Sequence, residues 1–384
     1  MRIGLAHKRL DLKGGTERDL YQTAEGLRDL GHEVHLFCGE FGISPPVGTF
    51  SHKVPTVALG RSARLWSFAL AAPKTIRSYA CDVVVNFGRL VRQDVLRSGG
   101  GPHRLFLEKL ARESGGTRRI WQSLSPYHRS VVALERRQFS PGHFKRVLAV
   151  SELIKREIIA TYGVPDHQIT VLHNGVDHER FHPSLREKWR DPIREQWGIP
   201  RDAPVVLFVG SGFRRKGLDR LVTLWKSARL GDAYLLVVGD DASLQRYRAF
   251  AASQTESRVV FAGRQDQVEK FYGAADVLAL PSVQEAFGNV VLEGLASGLP
   301  VVVSRSVGAA EILKGALREG IVNKPGDARQ LETKLTALLK RSRQSETAAA
   351  ARRLAEEYSW KNHFKKLEAC LMQVTRKGDG RALI

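Results

Sequence analysis

Pro281-Ser-Val-Gln-Glu285-Ala-Phe-Gly288-Asn-Val-Val-Leu-Glu293-Gly-Leu-Ala-Ser-Gly298-Leu-Pro300-Val-Val-Val-Ser304 reads as a loop, a short helix and a buried strand. Val291, Leu292, Leu295 and Ala296 recur at helical spacing. Gly298 and Pro300 stop that pattern, and Val301 to Val303 follow as an unbroken β-branched run. Glu285 stands just before the helix and Glu293 about two turns into it, so both carboxylates can face one bound molecule. Between them the backbone N–H groups of Phe287, Gly288 and Asn289 collect at a helix N-terminus, where free donors and the helix dipole favour a phosphate. Two glutamates on their own are more often solvated surface groups. In this setting they flank a place for a phosphorylated ligand that carries hydroxyls.

Outward from this stretch the chain alternates strand and helix. Residues 2 to 6 form a strand, and Lys13-Gly14-Gly15-Thr16-Glu17 turns into a helix, with Thr16 as its N-cap and Gly31 at its end. Gly14 and Gly15 thus fall at the carboxyl end of the first strand, where open α/β sheets bind ligands, although the full dinucleotide fingerprint is lacking. Further strands are expected at 34–37, 80–86, 147–150 and 169–172. Ser151 caps a following helix, and Asp94 to Arg104 reads as a glycine-rich loop carrying His103. The polar segment 184–204 is the best linker, which puts the domain boundary at 184/185. The α/β pattern then restarts. Val205 to Val209 leads into Gly210-Ser-Gly-Phe213-Arg214-Arg215-Lys216-Gly217, and five strands with intervening helices run from 205 to about 345. The last helix begins near Tyr358-Ser-Trp360, so the second domain spans 185–358 and residues 359–384 form a terminal helix.

A chain of 384 residues, 43% apolar, supports two domains. No stretch approaches the eighteen or so apolar residues of a membrane span. The N-terminus has no signal-peptide core, and Cys38, Cys81 and Cys370 are too few and too scattered for a disulfide framework or a zinc site, which points to the cytoplasm. The charge of +20 is concentrated, with 19 Lys and Arg against 6 Asp and Glu over residues 61–156. A block that basic favours an anionic partner. Its pairs Arg118-Arg119, Arg136-Arg137 and Lys145-Arg146 interleave with Trp121, Tyr127 and Phe139, and Arg61, Arg64, Trp66 and Phe68 stand upstream. This suits helices lying on an anionic membrane surface ahead of the plainer reading of core aromatics and solvated arginines. No nucleic-acid reading module is recognisable.

The spacing Glu285, seven residues, Glu293, with Phe-Gly after the first and Ser-Gly-Leu-Pro-Val-Val after the second, resembles the donor-site signature of the retaining GT-B glycosyltransferases. The likeness covers nearly the whole chain. Within the family, Gly210 to Arg220 and Gln284 to Glu293 are most similar to the lipopolysaccharide core glucosyltransferases that act on inner-core heptose. The resemblance implies two doubly wound Rossmann-like domains facing across a cleft, with the C-terminal helix crossing back to the first. It also implies transfer of a hexose, best matched by glucose, from a UDP-linked donor to an anionic glycolipid at the inner face of the cytoplasmic membrane. It assigns Glu285 to hydroxyls of the donor sugar, the amides of Phe287, Gly288, Asn289 and Val290 to the distal phosphate, and Glu293 to the ribose. Arg215 and Lys216 become the diphosphate clamp, Gly14 and Gly15 close over the diphosphate, and Arg264 and the Phe271-Tyr272 pair lie beside the base. No metal and no further cofactor are implied, because Arg215, Lys216 and the helix N-terminus do a cation's work. Some of the resembling enzymes carry an aspartate near Gly100. Here His103, or else Asp94, is left to orient the acceptor hydroxyl, with His103 the choice, while Lys8, Arg9 and Lys13 are candidates for acceptor phosphates. The rival readings are an epimerase or phosphorylase on the same fold, and a non-enzymatic basic binder of membranes or nucleic acid.

Overall fold

The computed structural model describes residues 1–12, 14–114, 125–226, 228–253, 258–342 and 345–376. Lys13, and Arg118, Arg119 and Trp121 of the basic block, lie outside the described residues. The chain divides into two compact units, Met1–His173 with Lys361–Ile384, and Asn174–Trp360. Residues 174–184 therefore group with the second unit.

The first unit is built on a seven-stranded sheet: β1 (Arg2–Leu10), β2 (Glu33–Phe41), β3 (Phe50–Lys53), β4 (Val83–Asn86), β5 (Val95–Ser98), β6 (Arg146–Ala149) and β7 (Ile169–Val171). Their order is β3-β2-β1-β4-β5-β6-β7, with every pairing parallel. Buried Ile3, Leu5, Val34, Leu36, Val83 and Val85 line the sheet and meet Leu20, Ala24 and Leu27 of helix Gly15–Asp29. Leu367, Leu371 and Val374 of helix Trp360–Arg376 join the same cluster, which ties the end of the chain to this unit. The approach is close. A Cβ on Gly26 would sit 2.1 Å from the Phe364 ring.

The second unit carries a six-stranded sheet: β8 (Val205–Val209), β9 (Tyr234–Val238), β10 (Val259–Gly263), β11 (Val277–Leu280), β12 (Val301–Ser304) and β13 (Ile321–Val322). The order is β10-β9-β8-β11-β12-β13, again parallel throughout. These short strands are buried on both faces, as continuous runs such as Val205 to Val209 require. In both sheets the order reverses beside the first strand, between β1 and β4 and between β8 and β11. In doubly wound sheets ligands bind outside the carboxyl ends at that reversal.

Several expectations are corrected. Thr16 lies inside the helix, whose N-cap is Gly14 with no side-chain cap. β3 has no strong apolar alternation and went unseen, and β5 occupies residues read as loop. The second sheet has six strands rather than five, because β13 is only two residues long. The supposed linker contains helix Leu185–Gln196, with Pro192 inside it. Three of its arginines converge on the buried carboxylate of Asp276: Arg186 and Arg194 each at 2.9 Å and Arg190 at 3.1 Å. Phe68 and Phe139, placed above on a membrane-facing surface, are core residues, Phe139 stacking on Tyr162. Among the described residues no helix is long and apolar enough to cross a membrane.

Candidate active site

In the second unit, two loops meet at the carboxyl ends of β8 and β11. After β8 the chain makes Gly210-Ser-Gly212 and a single turn of helix, Phe213–Lys216. Gly210, Gly212 and Gly217 all have positive φ, at 135°, 71° and 82°. Two of them also leave room that a side chain would fill. A methyl group on Gly210 would lie 2.5 Å from Lys216 Nζ, and one on Gly217 would lie 2.3 Å from the carbonyl oxygen of Pro281. Glycine thus lets Lys216 fold back over the turn and lets the turn press against the loop after β11. Asp241, beyond β9, secures the same turn by accepting from Phe213 N–H at 3.1 Å. Burial pushes the Asp241 carboxyl up, but hydrogen bonds from Ser243 and from the Phe213 and Gly212 amides bring it below its usual range.

The loop after β11 delivers Glu285. Its backbone is clamped to the 304–308 segment, with Glu285 N–H donating to Ser306 O at 3.1 Å and Gly308 N–H donating to Glu285 O at 2.9 Å. Val283 N–H donates to Arg215 O at 2.9 Å, and Arg215 Nη1 donates to Gln284 O at 2.9 Å, so the two loops brace each other. Arg215 Nη1 also donates to Glu285 Oε2 at 2.6 Å, and Lys216 Nζ stands 3.6 Å from the same oxygen. Burial would raise the Glu285 carboxyl, but Lys216 and Arg215 together hold it below the ordinary carboxylate range. The sequence therefore brings Glu285, Arg215 and Lys216 into one constellation of net charge +1. Arg214 is exposed.

Glu285 is followed by Phe287 and Gly288. Gly288 takes φ 95° as N-cap of helix Asn289–Ala296 and provides no side-chain cap. The helix therefore starts beside Glu285 with no N-cap side chain over its first turn. Val291, Leu292, Leu295 and Ala296 are buried, as their spacing required, and Phe287 anchors the turn through its carbonyl to Ala309 N–H at 2.8 Å. Glu293 lies in the second turn and accepts from Tyr272 O–H at 2.5 Å. Burial and the Glu293 charge push the Tyr272 phenol well above its usual value, so it stays a donor. Asn289 Oδ1 accepts from Asn174 Nδ2 at 2.8 Å, bringing the start of the second unit to this helix. Arg264 is exposed, just past β10. Asp241 was not singled out from sequence, because it acts through hydrogen bonds to the backbone of a turn nearly thirty residues away, which no local pattern announces.

In the first unit, Gly14 and Gly15 open their helix at the carboxyl end of β1, with the Glu17 side chain folded over Gly14 and no atom within 4 Å of a Cβ on Gly15. Lys8 is exposed, and Arg9 pairs with Asp11 at 3.0 Å and Glu40 at 3.5 Å. Asp94 is fully buried, paired with Lys145 at 3.1 Å and accepting from Val84 N–H at 2.9 Å. That makes it part of the sheet's frame rather than a group facing a ligand. His103 opens helix His103–Ser114, and its Nε2 is 2.9 Å from His128 Nδ1. Burial, Arg89 and His128 bring the His103 imidazole down to about 4, so it is neutral at pH 7. Among the described residues no group of three His, Cys, Asp or Glu is placed to hold a metal.

Two parallel doubly wound units, the second with a paired acid and cations at its strand-order reversal, define a glycosyltransferase of the GT-B class. The chain belongs to that family: residues 13–180 match Glycosyltransferase Family 4 and residues 190–357 match Glycosyl transferases group 1. A probable transglycosylase of Burkholderia thailandensis is 30% identical over 92% of this chain and 91% of its own. The lipopolysaccharide glucosyltransferase WaaG of Escherichia coli is 27% identical over 86% of this chain and 87% of its own. A crystal structure of WaaG shares the fold, with a TM-score of 0.78 at 24% identity over 96% of this chain and 99% of that one. The Anabaena protein HepE, solved in complex with UDP-glucose, does so at a TM-score of 0.69 and 18% identity, over 97% and 100% of the two chains.

Proposed function

We propose that this glycosyltransferase moves a hexose, best matched by glucose, from a UDP-linked donor to a lipopolysaccharide core or related anionic glycolipid, with retention at the anomeric carbon. The observation that carries the reading is the Glu285–Arg215–Lys216 constellation beside the uncapped helix at Asn289. In the proposed complex Arg215, Lys216 and the amides of Phe287 to Val290 neutralise the diphosphate without a metal. Glu285 and Glu293 receive the hydroxyls of hexose and ribose, while Gly14 and Gly15 close over the diphosphate and Arg264 lies beside the base. The acceptor oxygen bonds to the anomeric carbon on the face from which the phosphate oxygen leaves. The acceptor proton passes to that departing oxygen, so no second carboxylate has to serve as nucleophile. His103 positions the acceptor.

The names of WaaG and of the UDP-glucose complex of HepE support the choice of acceptor and donor. A peripheral place on the inner face of the cytoplasmic membrane is supported by exposed Val57, Leu59 and Leu70, at 45%, 82% and 49%, beside exposed Arg64. The test is nucleotide release from a panel of UDP- and GDP-linked sugars, with and without core-truncated lipopolysaccharide, for the wild type and Glu285→Ala. Acceptor-dependent release with one donor, lost in the variant, is the expected result. Release without acceptor would favour an epimerase or phosphorylase, and no release or donor binding with any sugar would leave a non-enzymatic binder.

A further inference from the structure

We propose that Arg61, Tyr127, His128 and His103 form a subsite in the first unit for a dianionic group, namely a phosphate monoester carried by the acceptor. This rests on the transferase reading above. The Arg61 guanidinium lies 4.0 Å over the Tyr127 ring, at the start of helix Gly60–Arg77. Tyr127 and His128 are neighbours on helix Pro126–Gln138, their rings edge to face at 5.6 Å, and His128 stacks on His103 at 5.1 Å. Arg61, His103 and His128 make no ion pair with a carboxylate among the described residues.

The carboxylate behind them is already consumed. Glu135 accepts from Arg89 Nη2 at 2.9 Å, from His103 N–H at 2.9 Å and from Tyr162 O–H at 2.8 Å. Arg104 on the same helix as His103 is matched by Glu108 at 3.0 Å. Among the described residues the cluster thus presents one guanidinium and two imidazoles with no negative charge left to balance them.

A hydrogen bond between two imidazoles requires that one ring nitrogen accept, so the pair cannot be fully protonated as it stands. Burial and Arg61 lower His128, and burial with Arg89 lowers His103. A dianion seated between Arg61 and the imidazoles reverses that balance, because it favours the charged form of each ring. Binding is then coupled to proton uptake, and affinity falls about tenfold per pH unit for each proton taken up.

The experiment follows the imidazole resonances of the full-length protein by NMR during titration with sulfate, which keeps its two charges from pH 6 to pH 8. The wild type is compared with Arg61→Met, which retains an apolar stem over Tyr127, and with His128→Asn. The expected result is a shift of His103 and His128 toward the protonated form, weaker binding at pH 8 than at pH 6, and at least a tenfold loss of affinity in both variants. In parallel, Arg61→Met should raise KM for a phosphorylated acceptor about tenfold, leaving kcat and the KM for its dephosphorylated form unchanged.

The subsite is overturned if the two resonances do not move, or move no more than those of exposed histidines such as His182. If sulfate binds as described but the variants treat both acceptors alike, the acceptor assignment is overturned and the site is one for free anions. No transfer by the wild type to any acceptor, with the sulfate result intact, would instead sink the transferase reading.

Discussion

Replacing Glu285 by glutamine separates its two effects on the donor. In the free protein the carboxylate cancels one of the two charges on Arg215 and Lys216. The neutral amide keeps the shape and leaves both cations for the diphosphate. One additional unit charge at ~5 Å from a phosphate charge is worth about 0.8 kcal/mol in water and about 3 kcal/mol at an effective dielectric constant of 20. The three side chains are only 28%, 12% and 19% exposed, so solvent screening is partial and the gain is at least the lower figure, about 1 kcal/mol. UDP should therefore bind at least about fivefold more tightly to Glu285→Gln than to the wild type. Turnover should move the other way. Loss of a charged acceptor for a donor-sugar hydroxyl costs about 3–4 kcal/mol in the transition state, or about 10²–10³ in kcat. Calorimetry with UDP at low and moderate salt, beside initial-rate measurements, reads both quantities. UDP binding that weakens tenfold in a variant with unchanged melting temperature would refute the argument, because Glu285 would then be organising the cations rather than competing for them.

Three further outcomes follow from geometry. Asp276→Asn removes the charge that pairs Arg186, Arg190 and Arg194 and leaves Arg194, itself 1% exposed, without a counter-ion. The second unit should lose about 3–5 kcal/mol in urea denaturation, and a loss under about 1 kcal/mol would contradict this. The Asp276 carboxyl is raised by burial but lowered further by these arginines, so its stabilising contribution is complete above the ordinary aspartate value of 3.8 and is lost as pH falls through the depressed folded one. Gly217→Ala places a methyl group against Pro281 O at φ 82°, which should cost at least about 2 kcal/mol and weaken UDP binding by parting the two loops. A variant with wild-type melting and UDP affinity would show that the loops do not depend on that contact. Tyr272→Phe removes the hydroxyl that fixes Glu293, and UDP affinity should fall about three- to tenfold at nearly constant kcat. A drop in kcat with unchanged affinity would move Tyr272 from nucleoside binding to the chemical step.

The sequence was informative about the second unit because its apolar runs are short, β-branched and separated by glycine turns, and each run from Val205 to Val303 became a strand, all but the edge strand β10 largely buried. It was misleading over 184–204 for a definite reason. Helix Leu185–Gln196 is held by charge rather than by an apolar stripe, and Arg186, Arg190 and Arg194 recur every four residues on one face. That spacing is visible, but the carboxylate it serves lies more than 80 residues further along, so the arginines read as linker polarity. β3 escaped for the complementary reason: Phe50–Lys53 is an edge strand, largely exposed, with no buried alternation to mark it.

The same contrast separates the two halves of the candidate site. The donor-side constellation comes from two contiguous stretches, one after β8 and one after β11, because adjacent parallel strands deliver their following loops to the same place. A local motif in each stretch is enough to identify it, and the fold brings the two together. The anion subsite of the first unit takes Arg61, His103 and the Tyr127-His128 pair from three separate helices, with Glu135 and its donors Arg89 and Tyr162 beside His103. His103 drew notice only for its glycine-rich loop, and His128 for nothing. Their meaning depends on which of them already have partners, and that is a property of packing. Glu135 supplies the reasoning. A single buried carboxylate that already accepts from Arg89, Tyr162 and a backbone amide is not free to neutralise the imidazoles as well, so no carboxylate among the described residues is left to meet the charge they gain on protonation.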